Sequence, residues 1–544
     1  MENFDTIIYI VFSQCNGESM PFKNEMTWIN YAKTGRESIF HSRYEKEISE
    51  LRDDIKNPII HENIIGGKRT KDREIVLKVS PNDNSLPLGY FQKAQIEDVA
   101  SAVKLARSAF EIWSETDYVE RVSIFERVVE LFKREKFALA AALTLDNGKN
   151  RFEALADVDE AIDFMSYYCN QMRLNDGFEK LLPPAYDNER SESLLRPYGV
   201  WAVICPFNFP VAISIGMASA AMLTGNTVVI KPSTAAPFAL YKAFCLMERA
   251  GIPPGVANFI YGSGGEIGSA LTSHPEVEGV AFTGSKEVGF EIIRGSLRSY
   301  PIPVIAEMGS KNPVIVTKNA DFKEAAEGIV NSAFGYAGQK CSACSRLYIE
   351  REVRDDVLQE ILHLTKNIKV KDPAERDCTF GPLIEERKVI EYLEVAKIGS
   401  RDGAIIIGGH RIIEGNLIRG FYVEPMIIDA LPQEHELMRT ELFMPVLCID
   451  TFDSLDEAIS KANSSAYGLT AGIFTHDENE VDLFFRKIKS GVVYSNRRRG
   501  ACTGAMVGAQ SFVGWKSSGS TGKGTGGPYY LQQFLREQTR TKAW

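Results

Sequence analysis

The 544-residue chain lacks an excess of basic residues. Its 62 lysines and arginines stand against 72 aspartates and glutamates, which gives a formal net charge of −10 and a sequence pI near 5.5. Proteins that bind nucleic acids or anionic membranes usually carry the opposite balance. The charge therefore argues against a nucleic-acid partner and against a membrane-surface partner.

The chain also lacks a regular spacing of cysteines. Its nine cysteines are scattered, and an odd number of them cannot all pair. We therefore expect free thiols in a reducing compartment, the cytoplasm, rather than a disulfide framework. There is no second Cys-x-x-Cys and no cluster among the seven histidines, so a zinc site would lack ligands and no metal is expected.

A secretory signal peptide is not apparent either. The apolar run from Ile7 to Phe12 is short, and the acidic residues Glu2 and Asp5 precede it, whereas a signal peptide needs basic residues and a longer apolar core. We expect residues 1–19 to be disordered or to lie outside the native chain, with Met20 as an alternative start.

Charged residues are absent from one long stretch, Pro197 to Ile230. Its length would suffice for a membrane helix. However, the sequence Cys205-Pro-Phe-Asn-Phe-Pro210 lies within it, and two prolines so close together interrupt a continuous helix. We therefore predict a buried strand, a loop and a buried helix, with a membrane span as the disfavoured alternative.

Short apolar runs alternate with helical patterns through most of the chain. Strands are predicted at 227–230, 257–260, 279–282 and 304–306, with helices at 237–250, 265–273 and 288–295 between them. A second round begins near Asn312 and includes predicted strands at 313–317, 346–350 and 421–428. Such alternation predicts an α/β fold with mainly parallel sheets, which bind ligands at the carboxyl ends of their strands.

A candidate nucleophile, Cys341, lies among small residues in the stretch from Gly335 to Arg346. A thiolate attacks carbonyl carbons well, and the neighbouring Lys340, with any nearby helix N-terminus, is predicted to favour the thiolate. Two alternatives remain open at this point. Cys341 could be a buried structural cysteine, or it could form a redox pair or half of a zinc site with Cys344.

Four other positions carry side chains that the oxidation of an aldehyde by a thiol would need. Asn208, between prolines, could donate to an oxyanion. Lys231 ends a buried strand at a ligand-binding edge. Gly284 and Ser285, between a strand and a helix, could form an anion site. Glu307, just after a strand, could be a general base if burial raises its pKa. Each also has an ordinary structural explanation.

Taken together, these residues resemble the aldehyde dehydrogenase superfamily over roughly residues 60–540. The motif order that carries the resemblance is Asn208, Lys231, Gly284-Ser285, Glu307, Cys341, Glu441 and Phe443. Within the superfamily the chain is most similar to the branch that oxidises L-glutamate γ-semialdehyde, formed from pyrroline-5-carboxylate, to L-glutamate in proline catabolism. The residues that carry this second similarity lie at 339–343, 503–508 and 526–531.

The resemblance implies a role for each matching residue. Cys341 would form a thioester, Asn208 would hold the oxyanion together with the Cys341 amide, and Glu307 would activate water. The residues expected to bind NAD, with NADP as an alternative, are Lys231, Gly284, Ser285, Gly289, Glu441 and Phe443. The residues expected to bind the substrate are Ser342, Gly504 and Ala505, which would hold its α-carboxylate, and Phe512, which would line its channel.

Several positions depart from the family pattern. Ser310, Met444 and Val513 stand where the family usually has glycine. Thr234 stands where NAD-preferring relatives often carry a glutamate that would repel a 2′-phosphate, which leaves NADP open. The alternatives kept beside this hypothesis are a dehydrogenase of another carboxylated semialdehyde such as succinate semialdehyde, a dithiol redox protein and a catalytically inactive relative.

The resemblance also implies an architecture. We expect two Rossmann-like parallel-sheet domains and a small β-flap through which the chain forms a homo-oligomer. The expected segments are an N-terminal extension, partly disordered, at 1–40, an NAD(P)-binding domain at 41–178 and 198–306, a flap at 179–197 and 524–544, and a catalytic domain at 307–523. The expected partner is a small aldehyde.

Overall fold

The structure is a computed structural model, and it describes residues 26–498 and 506–544. Its helices are α1 (Met26–Lys33), α2 (Glu37–Asp54), α3 (Ile96–Trp113), α4 (Tyr118–Asn147), α5 (Arg151–Leu174), α6 (Ala212–Leu223), α7 (Phe238–Ala250), α8 (Ser269–Ser273), α9 (Lys286–Gly295), α10 (Phe322–Phe334), α11 (Arg354–Lys366), α12 (Glu386–Asp402), α13 (Glu436–Arg439), α14 (Leu455–Asn463) and α15 (Glu478–Lys487).

The strands run through both halves of the described chain. They are β1 (Ile60–His61), β2 (Ile64–Ile65), β3 (Lys68–Arg69), β4 (Ile75–Val79), β5 (Pro87–Gln92), β6 (Glu179–Leu182), β7 (Glu189–Pro197), β8 (Val200–Ile204), β9 (Thr227–Lys231), β10 (Ala257–Phe259), β11 (Val277–Thr283), β12 (Val304–Glu307), β13 (Asn312–Val316), β14 (Cys344–Glu350), β15 (Ala404–Ile407), β16 (Met426–Asp429), β17 (Val446–Phe452), β18 (Tyr467–Gly468), β19 (Thr470–Phe474), β20 (Val492–Ser495), β21 (Trp515–Lys516) and β22 (Leu535–Ala543).

The first large sheet has the strand order β12-β11-β8-β9-β10-β2-β3. Its strands from β12 to β10 are parallel, and β2 and β3 join antiparallel at one edge. Side chains of a strand alternate between its two faces, and in β8 Trp201 and Val203 enter one core cluster while Val200 and Ala202 enter another. The apolar runs of the sequence are therefore strands covered on both faces.

The second large sheet has the order β15-β16-β17-β14-β13-β19-β20, parallel except for the β15–β16 pair. The α/β prediction with mainly parallel sheets is thus confirmed. The carboxyl ends of β8, β9, β11 and β12 lead to Asn208, Lys231, Gly284 and Glu307, and the turn with Cys341 precedes β14 at the amino end of the second sheet. The candidate site lies where these two edges meet.

A small antiparallel sheet with the order β22-β7-β6 joins two distant parts of the chain. Strand β22 pairs with β7 from Leu535 opposite Pro197 to Ala543 opposite Glu189, and β6 pairs with the other edge of β7. All three strands lie in the segments assigned to the flap. The division of the chain into domains stays a prediction. The partial disorder of residues 1–40 also stays a prediction, because the structure describes only residues 26–40 of that segment.

The uncharged stretch contains β8, the Asn208 loop, α6 and all of β9 except Lys231, so the predicted order of buried strand, loop and helix is confirmed. Within the described residues, no helix is both long and apolar enough to span a membrane. Two other predictions were wrong in detail. The 421–428 strand exists only as β16, because Pro425 has no N–H for a ladder, and the 265–273 helix opens as a wide turn at Gly264–Gly268 before α8.

Candidate active site

Cys341 lies in a turn between a 3₁₀ turn, Gly335–Gly338, and the start of β14. Tyr336 and Ala337 have φ angles of +51° and +50°, a left-handed conformation that costs a non-glycine residue about 1–2 kcal/mol. The Tyr336 hydroxyl donates to the carbonyl of Asn147 at 2.8 Å and holds this conformation in place. At Gly338 a Cβ would lie 2.5 Å from the Met444 carbonyl oxygen, so only glycine fits there.

Side chains from the loop between β12 and β13 and from the first residue of β13 hold the nucleophile turn. Asn312 Nδ2 donates to the carbonyls of Cys341, at 2.8 Å, and Ala343, at 2.9 Å. Asn312 Oδ1 in turn accepts from the Thr470 amide at 3.0 Å. The Ser310 hydroxyl also donates to the Cys341 carbonyl. The backbone on the carboxyl side of the thiol is therefore fixed by two buried side chains.

Asn208 reaches the same turn from the end of β8. Its Nδ2 donates to the Gln339 carbonyl at 3.1 Å, and its Oδ1 accepts from the Phe209 amide at 3.1 Å. An asparagine amide carries two hydrogens, so one remains for a ligand. Asn208 is buried, and its side chain is held against Gln339, which lies two residues before Cys341 in the chain.

One cavity is lined by several of the predicted catalytic and substrate residues, although Asn208 is not among them. Cys341, Glu307, Ser342 and Phe512 all line it, so the structure brings these four together. The other lining residues are Glu160, Phe164, Phe209, Ile213, Met217, Thr283, Met308 and Thr525. The predicted Gly504 and Ala505 lie outside the described residues.

The electrostatics at the thiol are opposite to the prediction from Lys340. Burial raises the pKa of Cys341, and the carboxylates of Glu441, Glu307 and Glu160 raise it further. Lys340 pairs instead with Glu153, with 3.5 Å from Nζ to Oε1. The expectation that the neighbouring lysine favours the thiolate was therefore wrong.

Glu307 lies at the end of β12 with its carboxyl group in the cavity. Burial raises its pKa well above the ordinary value, and a hydrogen bond from the Gly514 amide offsets this only in part. Its Oε2 has no hydrogen-bond partner among the described residues. A raised pKa makes the ionised carboxylate a stronger base, so a carboxyl group that lines the cavity with a thiol suits a general base.

Glu441 lies on the other side of the nucleophile turn. Its Oε1 accepts from the Ser310 amide at 2.7 Å, and burial raises its pKa to about 7. Phe443 follows with φ +56°, and its ring centroid lies 5.6 Å from that of Phe207. Met444 is buried and has no left-handed φ, so the departure from glycine at this position is accommodated in the core.

The remaining cofactor candidates lie at the carboxyl edge of the first sheet. Lys231 is buried at the end of β9, donates to the Pro232 carbonyl at 3.0 Å, and has its pKa lowered to about 8 by desolvation. Ser285 caps α9 by accepting from the Val288 amide at 3.4 Å. The Gly284 amide donates to the Glu307 carbonyl at 3.1 Å, which joins this loop to the candidate base.

Sequence reasoning missed two residues of the site. Glu160 comes from α5, a buried helix that carries four buried carboxylates, and such acids on an otherwise apolar helix were the signal that could have identified it. Asn312 directly precedes the apolar run of β13. No local pattern identifies it, because its contact with Cys341 depends on the pairing of β13 with β14.

Comparisons with known proteins agree with this geometry. A model described as the aldehyde dehydrogenase family matches residues 68–540. The 1-pyrroline-5-carboxylate dehydrogenase of Geobacillus sp. (strain WCH70) is 39% identical over 485 residues, which cover 88% of this chain and 92% of that protein. The same values hold for the enzyme of Geobacillus thermodenitrificans (strain NG80-2). A crystal structure of 1-pyrroline-5-carboxylate dehydrogenase from Thermus with bound NAD has a TM-score of 0.88 and 33% identity, and it covers 92% of this chain and 96% of that chain.

Proposed function

The chain belongs to the aldehyde dehydrogenase family, and on that basis we propose that it oxidises L-glutamate γ-semialdehyde, the hydrolysis product of pyrroline-5-carboxylate, to L-glutamate with NAD. The observation that carries this proposal is the single cavity shared by the Cys341 thiol, the Glu307 carboxyl group and Ser342. The names of the relatives at 39% identity support the choice of substrate.

The reaction would begin when Cys341 Sγ releases its proton to solvent water and the thiolate attacks the aldehyde carbon. The oxyanion that forms would accept hydrogen bonds from Asn208 Nδ2 and from the Cys341 amide. NAD, when bound, supplies the acceptor for the hydride that leaves this carbon, so that a thioester remains on Cys341. Glu307 would then take a proton from water, the water oxygen would attack the thioester carbon, and the C–S bond would break to release the carboxylate.

The chain offers suitable groups for the cofactor. Glu441 has a carboxylate that can accept from ribose hydroxyls, and Phe443 can pack beside the ring. A Cβ at Gly264 or Gly265 would meet no atom within 4 Å, so the adjacent backbone leaves open space. The other residues proposed to hold the cofactor are Lys231, Gly284, Ser285 and Gly289. Thr234 is exposed and carries no charge, so NADP stays an alternative to NAD.

Substrate selection would depend on the charged and polar groups around the substrate. We assign the α-carboxylate of the semialdehyde to Ser342, Gly504 and Ala505, because hydroxyl and amide groups suit an anion. The Glu160 carboxylate lines the same cavity and complements the α-ammonium group of this substrate. Succinate semialdehyde has no ammonium group, so Glu160 favours the amino acid semialdehyde over it. Phe512 would form the wall beside the aldehyde.

We also propose that the chain works as a homo-oligomer in the cytoplasm. The β-flap exposes Leu181 and, beside it, Tyr186 and Trp544, each about 70% exposed, and both of its edge strands are available to a second copy. The seven described cysteines are all free, which suits a reducing compartment.

The test is the formation of NADH, followed by absorbance, with pyrroline-5-carboxylate, succinate semialdehyde and a simple aliphatic aldehyde as substrates. We expect kcat/KM to be highest for pyrroline-5-carboxylate by more than about 100-fold and activity to be absent from Cys341→Ser. Equal rates with all three substrates would contradict the assigned substrate. Activity in Cys341→Ser would contradict the assigned nucleophile.

A further inference from the structure

We propose that Ser310 is a positioning residue for the nucleophile and that its hydroxyl fixes the peptide plane between Cys341 and Ser342. This inference rests on the proposed function only in taking Cys341 as the nucleophile. Ser310 is buried in the loop between β12 and β13, and its hydroxyl donates to the Cys341 carbonyl. A glycine, which the family usually has at this position, would lack that donor.

The Ser310 hydroxyl supplies the Cys341 carbonyl with a hydrogen bond that Asn312 alone cannot supply in full. Asn312 Nδ2 lies within hydrogen-bond distance of Ala343 O at 2.9 Å, Cys341 O at 2.8 Å and Ser310 Oγ at 2.8 Å. Its two hydrogens must serve three acceptors, so one of them is shared. The hydroxyl of Ser310 therefore gives the Cys341 carbonyl its second, unshared hydrogen bond.

Ser310 is itself held firmly, which positioning requires. Its amide donates to Glu441 Oε1 at 2.7 Å. The carbonyls on either side are also bound, that of Gly309 by Ser518 Oγ at 2.7 Å and that of Lys311 by Arg346 Nε at 2.9 Å. A side chain on such an anchored loop can hold a neighbouring turn within the fraction of an ångström that a reacting group needs.

The consequence for the site follows from the planarity of the peptide bond. The carbonyl and the N–H of a trans peptide point in opposite directions. When Ser310 and Asn312 hold the Cys341 carbonyl on one side, the Ser342 amide is directed to the other, and the Cys341 backbone that carries Sγ cannot rotate. Both Cys341 and Ser342 line the cavity, so the Ser310 hydroxyl contributes with Asn312 to the direction of attack and to the direction of a substrate contact.

The experiment compares Ser310→Ala with a matched control, Ser332→Ala. Ser332 is a similarly buried serine whose hydroxyl oxygen accepts from the Cys344 amide, three residues after Cys341, at 2.9 Å. For each variant we would measure the burst of p-nitrophenolate from p-nitrophenyl acetate, the rate of Cys341 alkylation by iodoacetamide, and the Tm. Acylation needs both the thiol and the oxyanion donors in line, whereas alkylation needs only the thiol.

We expect Ser310→Ala to lower the acylation rate about three- to tenfold, the value of one hydrogen bond, with alkylation within about twofold of wild type. Ser332→Ala should lower the Tm and leave both rates within about twofold. Wild-type acylation in Ser310→Ala, or equal losses of acylation in the two variants, would overturn the proposal. These assays need neither aldehyde nor NAD, so a wrong substrate does not affect them, and wild-type protein without a burst would overturn the nucleophile and Ser310 together.

Discussion

Lys340 and Glu153 form an ion pair that joins the nucleophile turn to α5, with 3.5 Å between Nζ and Oε1. Both side chains are mostly buried. The lysine next to the nucleophile in sequence is thus neutralised by a partner, and the charges that act most on the Cys341 thiol are three carboxylates. Reactivity at Cys341 should therefore respond to the acids and not to Lys340.

We accordingly expect Lys340→Gln to change the pH dependence of Cys341 alkylation very little, by less than about twofold in rate at any pH. Glu160→Gln is the informative comparison, because removal of a nearby negative charge lowers the pKa of the thiol and shifts the alkylation profile to lower pH. The measurement is the rate of iodoacetamide incorporation at Cys341 across pH, read by mass spectrometry of the peptide. If the alkylation profile of Lys340→Gln moved to higher pH, Lys340 would be the group that activates the thiol, which would contradict this prediction.

Glu307→Gln should separate the two halves of the reaction. Loss of the base removes roughly 10²- to 10⁴-fold of the turnover rate. The first acylation by p-nitrophenyl acetate should persist as a burst, since Cys341 and Asn208 are intact. Stopped-flow absorbance measures both phases. If the burst disappears, Glu307 acts on the thiol and not only on water.

Glu441 links cofactor binding and stability to pH. Its pKa is raised by burial to about 7, so the folded protein retains a proton that the unfolded chain releases near pH 4.5. The sign follows directly, since the folded state binds more protons between these values and its stability falls as pH rises through about 7. The expected decrease in the free energy of unfolding is of the order of 3 kcal/mol, because each unit of pKa difference corresponds to about 1.36 kcal/mol.

Glu441→Gln should remove this dependence, so that its Tm at pH 8 moves closer to its Tm at pH 5 than in wild type. In wild type the dissociation constant for NAD should decrease as pH rises through 7, because we propose the ionised carboxylate as the ribose acceptor, and in the variant this decrease should be absent. Calorimetry gives the first quantity and fluorescence titration the second. The assignment would be contradicted if the Tm changed by the same amount between pH 5 and pH 8 in wild type and in Glu441→Gln.

The buried pair of Lys149 and Asp157 should be a strong determinant of stability. The two charges are 2.7 Å apart with no side-chain exposure, and Asp157 also accepts from the Ala212 amide at the start of α6. Lys149→Met should cost about 3–5 kcal/mol because an unpaired charge stays buried. A surface pair, Arg173 of α5 and Glu126 of α4, is half-exposed, and Arg173→Met should cost less than about 1 kcal/mol. Urea unfolding would compare the two, and similar losses would refute the distinction.

Much of the fold was predictable because its strands are local patterns. The apolar runs that became β8, β9 and β11 are covered on both faces, so they appear in the sequence without interruption. The positions of Asn208 and Glu307 at strand ends followed from the same pattern. The order of such residues along the chain was enough to anticipate the family.

The remainder depends on contacts that no local pattern encodes. Asn312 meets Cys341 only because β13 lies next to β14, and Glu160 reaches the cavity from a helix about 180 residues earlier. The error at Lys340 has a similar cause. Adjacency in sequence does not determine where a long side chain points, and here it points to α5.

The pairing of β22 with β7 has a consequence for how the chain is made. Strand β7 is translated early, but its partner follows roughly 340 residues later, a delay of about 15–70 s at ordinary elongation rates. Both large sheets can form on the ribosome during that interval. The small sheet completes last, and until then the centre strand β7 exposes one unpaired edge to nascent chains and chaperones alike.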